Sequence, residues 1–201
     1  MDKLDRKYYM KGYDKESDTY KEDEKILLLV VDEQPKLMKA MDKGEEAIAN
    51  TLVLIKTFKE FNQPILATEQ YPKGLGRSDD RILEELDEDQ FIAKTVFDAA
   101  RPEVIDFIEK EKIKKVVITG AEGHICVYQT ARSLLNKGLE VYLPLDAIAS
   151  FKQSQKERAA RSNEKMGAVL VSTETILYDL AYDSKDPHFK FISNLVKELR
   201  K

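Results

Sequence analysis

The sequence predicts an α/β fold in which a mainly parallel sheet is covered by helices on both faces. Short apolar segments typical of strands alternate along the chain with segments whose apolar residues recur at helical spacing. The first apolar segment, residues 26–31, is continuous rather than alternating. A continuous apolar run of this length is typical of a strand buried on both faces, as strands of parallel sheets are.

The first half of the chain supplies three predicted strands, at residues 26–31, 64–68 and 91–94, of which the third is the weakest. A helix is predicted between the first two strands, at residues 44–61, because its apolar residues recur at helical spacing. The residues that define this stripe are Ile48, Leu52, Ile55 and Phe58.

The second half continues the alternation. Pro102 opens a predicted helix, since proline is favoured in the first turn. A helix that begins near Cys126 is predicted to end near Gly138, a typical glycine stop. The remaining strands are predicted at residues 115–119, 139–143 and 168–171, and the remaining helices at 155–165, 174–181 and 189–199.

Composition limits the classes of protein to which this chain can belong. A chain of 201 residues, 42% of them hydrophobic, predicts one domain with a substantial core. A net charge of −4 gives no general attraction to nucleic acid or to an anionic membrane. One cysteine forms no internal disulfide, no apolar run is long enough to span a bilayer, and the charged N-terminus does not resemble a secretory signal. We therefore expect a cytoplasmic protein.

The N-terminal residues 1–24 differ from the rest of the chain because they are rich in charged residues and tyrosine and lack apolar periodicity. They are predicted to form a charged arm, with the domain itself at residues 25–201. The arm is either solvated or packed on a neighbouring subunit. In the second case its anchors are Tyr8, Tyr9, Tyr13 and Tyr20.

Three reactive groups are predicted at the carboxyl ends of strands. Asp32 follows the first strand, Lys94 ends the third, and Cys126 opens the helix after the fourth. In open α/β sheets ligands bind at this edge, so we expect the three side chains to meet there. Lys94 and the positive end of the helix dipole favour a Cys126 thiolate, and Asp32 could accept the thiol proton. The thiolate would attack a carbonyl to give an acyl-enzyme that water resolves.

Each group also has a structural interpretation. A lone cysteine near a strand end is often a small buried hydrophobe, Asp32 could be a helix cap or turn former, and Lys94 could be a solvated lysine. His124 lies two residues before the cysteine, but its position in a turn disfavours it as the base. The segment 71–76 lacks a phosphate-loop pattern and is interpreted as a mobile loop beside the site.

Three segments together resemble the isochorismatase-like cysteine hydrolase family. They are LLVVDEQ at residues 28–34, Lys94 before VFDA at 96–99, and TGAEGHICV at 119–127. The resemblance runs from Lys25 to about the C-terminus. Within the family, the sequence is similar to the branch of isochorismatase domain-containing proteins whose substrate is unsettled. The similarity to this branch rests on residues 68–76, 123–127, 172–177 and 186–190.

The resemblance implies a Rossmann-like three-layer sandwich, the isochorismatase-like hydrolase fold, with a triad of Asp32, Lys94 and Cys126. It also implies a cis peptide bond between Ala121 and Glu122, an oxyanion hole formed by the backbone N–H groups of Glu122 and Cys126, and a homo-oligomer. Nicotinamidases of this family bind a metal through Asp and His residues after the second strand. Residues 68–71 contain no histidine, so no metal and no cofactor are expected here.

By position, the residues expected to contact a small-molecule substrate are Gln34, Glu69, Gln70, Tyr71 and His124, with the Glu122 side chain a further candidate for the pocket lining. Their polar side chains favour a hydrogen-bonding ligand.

The sequence thus predicts a hydrolase of a small amide, ureide or ester. Two alternatives stay open: a catalytically degenerate protein that binds small molecules or supports assembly, and a redox role for the cysteine. The redox role is weaker because the chain has no second cysteine to resolve a sulfenic acid.

Overall fold

A computed structural model of the chain describes residues 12–14, 19–21 and 24–200. The strands in this part of the chain are β1 (Gly12–Asp14), β2 (Thr19–Lys21), β3 (Ile26–Val31), β4 (Ile65–Gln70), β5 (Phe91–Lys94), β6 (Lys115–Gly120), β7 (Glu140–Pro144) and β8 (Val169–Val171). The α-helices are α1 (Pro35–Met38), α2 (Gly44–Glu60), α3 (Pro72–Leu75), α4 (Asp80–Leu83), α5 (Pro102–Lys110), α6 (Cys126–Asn136), α7 (Gln153–Lys165), α8 (Thr173–Ala181) and α9 (Phe189–Leu199).

The six predicted strands form one sheet in the order β5-β4-β3-β6-β7-β8, and every neighbouring pair is parallel. The chain runs outward from β3 through β4 to β5, then returns to the other side of β3 and runs outward again through β6, β7 and β8. The strand order therefore reverses between β3 and β6. A crevice forms at such a switch point, beyond the carboxyl ends of the two strands, and this is where ligands bind in open α/β sheets.

Helices cover both faces of the sheet, which confirms the three-layer architecture. Successive residues of a strand point to opposite faces. Leu28 and Val30 of β3 therefore pack toward α2, α8 and α9, whereas Leu27 and Leu29 pack toward α5 and α6. Both sets are fully buried, or nearly so, which explains the continuous apolar run of this strand.

The structure adds elements that the sequence patterns did not predict. Helices α1, α3 and α4 contain four residues each, too few to show a helical period. The prediction of a mobile loop at 71–76 is wrong in one respect, because most of this segment forms α3. Helix α7 begins two residues before its predicted start.

Part of the predicted N-terminal arm forms a two-stranded antiparallel hairpin, in which Tyr13 of β1 lies opposite Tyr20 of β2. Tyr8 and Tyr9 lie outside the described residues. Whether the arm packs on a neighbouring subunit therefore stays a prediction. Within residues 12–14, 19–21 and 24–200, none of the helices combines the length and the apolar character needed to cross a membrane.

The turn after β6 brings two backbones into close approach. Gly120 has a φ of +108°, and a Cβ atom built on it would lie 1.9 Å from the carbonyl oxygen of Val31 on β3. An L side chain fits neither this backbone conformation nor this space. Glycine at this position lets the turn that carries residues 121–125 begin directly against the end of β3.

Replacing Gly120 with alanine is expected to lower the free energy of unfolding by more than about 3 kcal/mol, since the strained φ and a backbone clash add together. Gly138 provides a matched control, because its φ of +82° is also positive but nothing lies within 4 Å of its added Cβ. Gly138→Ala should cost only about 1–2 kcal/mol. Urea unfolding of both variants tests the prediction, and equal losses would contradict it.

Candidate active site

The three reactive residues lie close together at the carboxyl edge of the sheet. Asp32 directly follows β3, Lys94 is the last residue of β5, and Cys126 is the first residue of α6, six positions after β6 ends. The Lys94 ammonium lies 2.6 Å from Oδ2 of Asp32, and neither side chain is exposed to solvent. The Cys126 thiol faces the same carboxyl group closely enough that each group shifts the pKa of the other.

Lys94 is held by more than its ion pair. Its Nζ also donates to Oε1 of Gln70 at 2.7 Å and to the carbonyl oxygens of Phe97 at 3.1 Å and Val96 at 3.3 Å. A buried ammonium has three protons that need acceptors away from bulk solvent, and four oxygens lie within reach of them. The interpretation of Lys94 as a solvated lysine is therefore wrong.

Asp32 is fixed by both its backbone and its side chain. Its φ is +54°, its N–H donates to the carbonyl of Thr68 at 3.0 Å, and its Oδ1 accepts from the Thr68 hydroxyl at 2.7 Å. Burial raises the pKa of the Asp32 carboxyl, and the Lys94 ammonium opposes this increase. The side chain therefore serves the buried pair with Lys94 rather than a helix cap, and a carboxylate with a raised pKa is a stronger base than a solvated one.

The expected thiolate is not the resting form of Cys126. Burial first, and the Asp32 charge second, raise the pKa of the thiol to about 12, although Lys94 acts in the opposite direction. The expectation from the helix dipole and Lys94 was wrong because it omitted the cost of burying a charge. A thiol at this position must pass its proton to another group before it can act as a nucleophile.

The turn at residues 120–125 presents backbone donors beside the sulfur. The peptide bond between Ala121 and Glu122 is cis, as the family resemblance implied. The Glu122 N–H points at the Cys126 sulfur and lowers the pKa of the thiol. Among the described residues, the N–H groups of Glu122 and Cys126 donate to no backbone carbonyl. An oxyanion hole requires two backbone donors near the nucleophile, and these are the two N–H groups that the family resemblance implies for it.

Three of the residues predicted to contact substrate are engaged elsewhere. The Gln34 amide donates to the carbonyls of Gln70 and Gly76 and accepts from the Gln70 N–H. The Gln70 side chain joins Lys94 to the carbonyl of Thr95. These amides are buried, and their bonds fix the ends of β4 and β5 around the ion pair. They support the site rather than offering free groups to a ligand.

Glu69 also points away from the ion pair. Its Oε1 accepts from Nε of Arg77 and from the backbone N–H and hydroxyl of Ser78. A side chain alternates in direction along a strand, so Glu69 and Gln70 of β4 lie on opposite faces. Glu69 therefore anchors the segment 77–78.

Tyr71 and His124 remain open to a ligand. Tyr71 is 53% exposed, and its N–H donates to the carbonyl of Lys94 at 2.7 Å, so its side chain stands at the rim of the site. Nδ1 of His124 lies 3.3 Å from the Ser150 hydroxyl and 3.8 Å from Oε2 of Glu122. The described contacts of His124 include no hydrogen bond to Cys126.

Sequence reasoning missed Thr130, which links the Lys94 segment to the cysteine helix. Its hydroxyl accepts from the Ala99 N–H at 2.8 Å and donates to the Cys126 carbonyl at 2.7 Å. The residue is fully buried on α6. A threonine four positions after a candidate nucleophile gives a weak signal in a single sequence, because threonine commonly bonds to the carbonyl one turn earlier.

Thr130→Val is expected to lower the free energy of unfolding by about 1–3 kcal/mol, because it leaves the buried Ala99 N–H without an acceptor. Thr130→Ser keeps the hydroxyl and is expected to keep both bonds. Chemical denaturation distinguishes the two variants. If serine is as damaging as valine, the lost methyl group and not the hydroxyl bonds stabilises this contact.

In the described ranges of the chain, no group of three or more His, Cys, Asp or Glu residues is arranged to hold a metal ion. The groups that converge at the site are a thiol, a carboxyl and an ammonium, flanked by two backbone N–H groups. This set suits proton transfer and nucleophilic attack by sulfur.

Comparisons with known proteins agree with this fold. The family profile described as the isochorismatase domain matches residues 26–175. Isochorismatase family protein 1A of Dictyostelium discoideum is 32% identical over 179 residues, which cover 87% of each chain. The structure of the MAR1 ribonuclease of Caenorhabditis elegans has a TM-score of 0.82 and 32% identity, with 86% of this chain and 90% of that chain covered.

The fold also extends to a more distant protein. The YcaC gene product of Escherichia coli, an octameric hydrolase of unknown specificity, has a TM-score of 0.81 at 21% identity. The alignment covers 89% of this chain and 91% of that one. Because its family profile covers most of its length and its relatives match nearly end to end, this chain belongs to the isochorismatase domain family.

Proposed function

We propose that this protein is a cysteine-dependent hydrolase that forms a covalent acyl-enzyme on Cys126. The observation that carries the proposal is the fully buried pair of Asp32 and Lys94 beside the thiol. Burying two charges costs several kcal/mol per ion in water-free surroundings, so such a pair needs a reason beyond stability. Catalysis is such a reason, because the lysine keeps the carboxylate ionised beside a thiol whose proton it can accept.

In the proposed reaction, Asp32 takes the thiol proton as the sulfur attacks the substrate carbonyl. A carbon–sulfur bond forms, and the carbonyl oxygen becomes an oxyanion that accepts from the N–H groups of Glu122 and Cys126. Collapse of this intermediate breaks the bond to the amine or alcohol, which leaves with the proton from Asp32. Water then attacks the thioester while Asp32 accepts its proton, and the thiol is restored as the acid is released.

Lys94 supports both proton transfers. Its ammonium stabilises the ionised form of Asp32 before each step, and it lowers the pKa of Cys126 as the thiolate develops. Burial raises the pKa of Asp32, so the pKa values of the carboxyl and the thiol differ by less than those of a solvated carboxylate and the same thiol. A smaller difference makes the proton transfer easier. No metal is needed for this route. The substrate class that fits it is a small amide, ureide or ester.

A mass measurement tests the proposal directly. The protein is incubated with a panel of amides, ureides and activated esters, quenched in acid and examined by intact-mass spectrometry. We expect a mass increase equal to the acyl group for at least one compound, mapped to Cys126 and absent from Cys126→Ala. Adducts that persist in the alanine variant would contradict the mechanism.

The same panel separates the alternatives. A catalytically degenerate binding or assembly protein would bind compounds without product or adduct. A short RNA belongs in the panel because one relative is called a ribonuclease. We expect no cleavage of it, since a net charge of −4 gives no general attraction to phosphate backbones.

We also propose that the protein forms a homo-oligomer. The octameric state of YcaC is one support. The other is that several large hydrophobic side chains are exposed, and contact with a second copy of the chain would remove them from water. These include Tyr71, Phe97, Phe151 and Tyr182, each more than half exposed. Light scattering coupled to size-exclusion chromatography measures the mass in solution, and a mass near 23.1 kDa would contradict the proposal.

A further inference from the structure

Glu33 is a buried carboxyl group that the proposed reaction does not use. It directly follows Asp32, and no part of it is exposed. Its Oε1 accepts from the Thr51 hydroxyl of α2 at 2.5 Å. Its backbone carbonyl accepts from the Asp79 N–H at 2.8 Å. Unlike Asp32, it has no ammonium or guanidinium in contact with its carboxyl group among the described ion pairs.

The second carboxyl oxygen of Glu33 lacks a hydrogen bond. Oε2 of Glu33 and Oγ1 of Thr119 are both buried, and neither has a hydrogen-bond partner in good geometry. The Thr119 hydroxyl is nevertheless close enough to influence the pKa of Glu33. With a proton on Oε2 the carboxyl could donate to the Thr119 hydroxyl oxygen, whereas in the ionised form only the hydroxyl could donate. Two unsatisfied atoms would then satisfy each other, as buried polar groups normally do.

The charges around Glu33 do not favour its ionised form. Burial is the largest effect and raises the pKa of Glu33 to about 8. The Asp79 carboxylate contributes in the same direction, the Arg81 guanidinium and the hydroxyls of Thr51 and Thr119 oppose it, and the pKa of about 8 is the net result. Arg81 is itself paired with Asp79 and Glu45, which limits its effect on Glu33. Strand β6 and helix α2 present hydroxyl groups to this carboxyl.

We propose that Glu33 carries a resident proton at neutral pH and, in this neutral form, is a positioning residue that joins β3, α2 and β6 behind the candidate site. Thr51 donates to one of its oxygens, and the other donates to Thr119. Thr119 directly precedes Gly120, so the contact connects the residue after Asp32 to the turn that carries the Glu122 N–H. Ionisation of Glu33 would place an unpaired charge between these elements.

Infrared spectroscopy detects the proton itself. We expect the wild type to show a carbonyl band of a protonated carboxylic acid at pH 7 that is absent from Glu33→Gln. Glu69→Gln is the matched control, because Glu69 is also buried but its carboxylate accepts from Arg77. Thr119→Val should shift the band, since it removes the acceptor. A difference spectrum without this band for Glu33→Gln would overturn the proposal.

Stability gives a second readout. The pKa of Glu33 is higher in the folded than in the unfolded protein, so the stabilising contribution is fully present below the unfolded pKa and is lost as pH rises toward the folded value. Between about pH 5 and pH 8, the folding equilibrium constant of the wild type should fall by up to tenfold per pH unit relative to Glu33→Gln. Parallel pH profiles for the two proteins would contradict the resident proton. If Glu33→Gln does not fold, loss of the wild-type infrared band near pH 8 decides the question.

The effect on turnover rests on the proposed function. We expect hydrolysis by the wild type to decline above about pH 8 and hydrolysis by Glu33→Gln to continue to higher pH, because the amide keeps a neutral donor and acceptor. Unchanged turnover profiles with a confirmed infrared band would remove the positioning role but keep the proton. Absence of hydrolysis in every variant would count against the proposed function alone.

Discussion

Replacing Cys126 with serine is expected to reduce kcat/KM by at least about 10³-fold for any compound that the wild type hydrolyses. A serine hydroxyl is a much weaker nucleophile than a thiol, and the single carboxylate of Asp32 is poorly matched to it. The fold should remain intact, because the substitution is nearly isosteric and Cys126 already adjoins polar groups. Steady-state kinetics, with circular dichroism and a thermal melt as the control for folding, test this expectation. Equal turnover by the serine variant would exclude Cys126 as the nucleophile.

Asp32→Asn should separate the reactivity of the thiol from turnover. In the wild type the Asp32 charge helps to raise the pKa of Cys126 to about 12, so alkylation by iodoacetamide at pH 7 should be slow and should increase as pH rises. Removing that charge leaves the Lys94 ammonium to favour the thiolate. The asparagine variant should therefore be alkylated faster than the wild type while its turnover falls by about 10²–10⁴-fold through loss of the base.

Faster alkylation together with slower turnover in Asp32→Asn would identify Asp32 as the base. A cysteine that is only a small buried hydrophobe would show slow alkylation in both proteins. A carboxylate that only stabilises the fold would change turnover in proportion to the loss of folded protein. Rates of alkylation, measured by intact mass at equal folded fractions, distinguish these outcomes. Slower alkylation of Asp32→Asn would contradict the assignment.

Much of the site could be predicted because a parallel sheet places the carboxyl ends of its strands at one edge. Asp32, Lys94 and Cys126 are far apart in sequence, yet each follows or ends a strand of the same sheet. Their convergence therefore depends on topology, and the alternation of strands and helices is enough to predict it. The weak third strand at 91–94 was identified correctly even though only part of it is buried.

The protonation state and the roles of the polar neighbours could not be predicted in the same way. The pKa of Cys126 depends on how completely the thiol is removed from water, which no local pattern reports. Gln34 and Gln70 look like ligand-binding residues because they are polar and stand at strand ends. Their bonding partners are backbone groups and Lys94, brought near by the packing of α3 and the ends of β4 and β5. Thr130 and Glu33 likewise acquire their roles from contacts between elements.

Lys94→Met is expected to lower the free energy of unfolding by about 3–5 kcal/mol, the usual cost of leaving one member of a buried ion pair without its partner. Methionine has nearly the length of lysine without its charge, so the loss should come from the uncompensated carboxylate and not from a large cavity. The cost should depend on pH. The pKa of Asp32 is raised by burial and lowered by Lys94, and removing the lysine raises it further. At low pH the variant escapes the cost by protonating Asp32, and the loss of stability grows as pH rises through the new pKa.

The double variant Lys94→Met with Asp32→Asn provides the control. It removes both charges, so its stability should exceed that of either single variant even though it carries more substitutions. Turnover should remain lost, because the base is absent whether or not the fold recovers. Urea unfolding of the four proteins at several pH values gives the coupling energy between the two residues. If the losses of the two single variants add in the double variant, the coupling energy is zero. The 2.6 Å contact between Lys94 and Asp32 then does not contribute to the stability of the protein. If the double variant regains stability but not turnover, the fold does not need the buried pair. The pair is then retained for its role in the reaction.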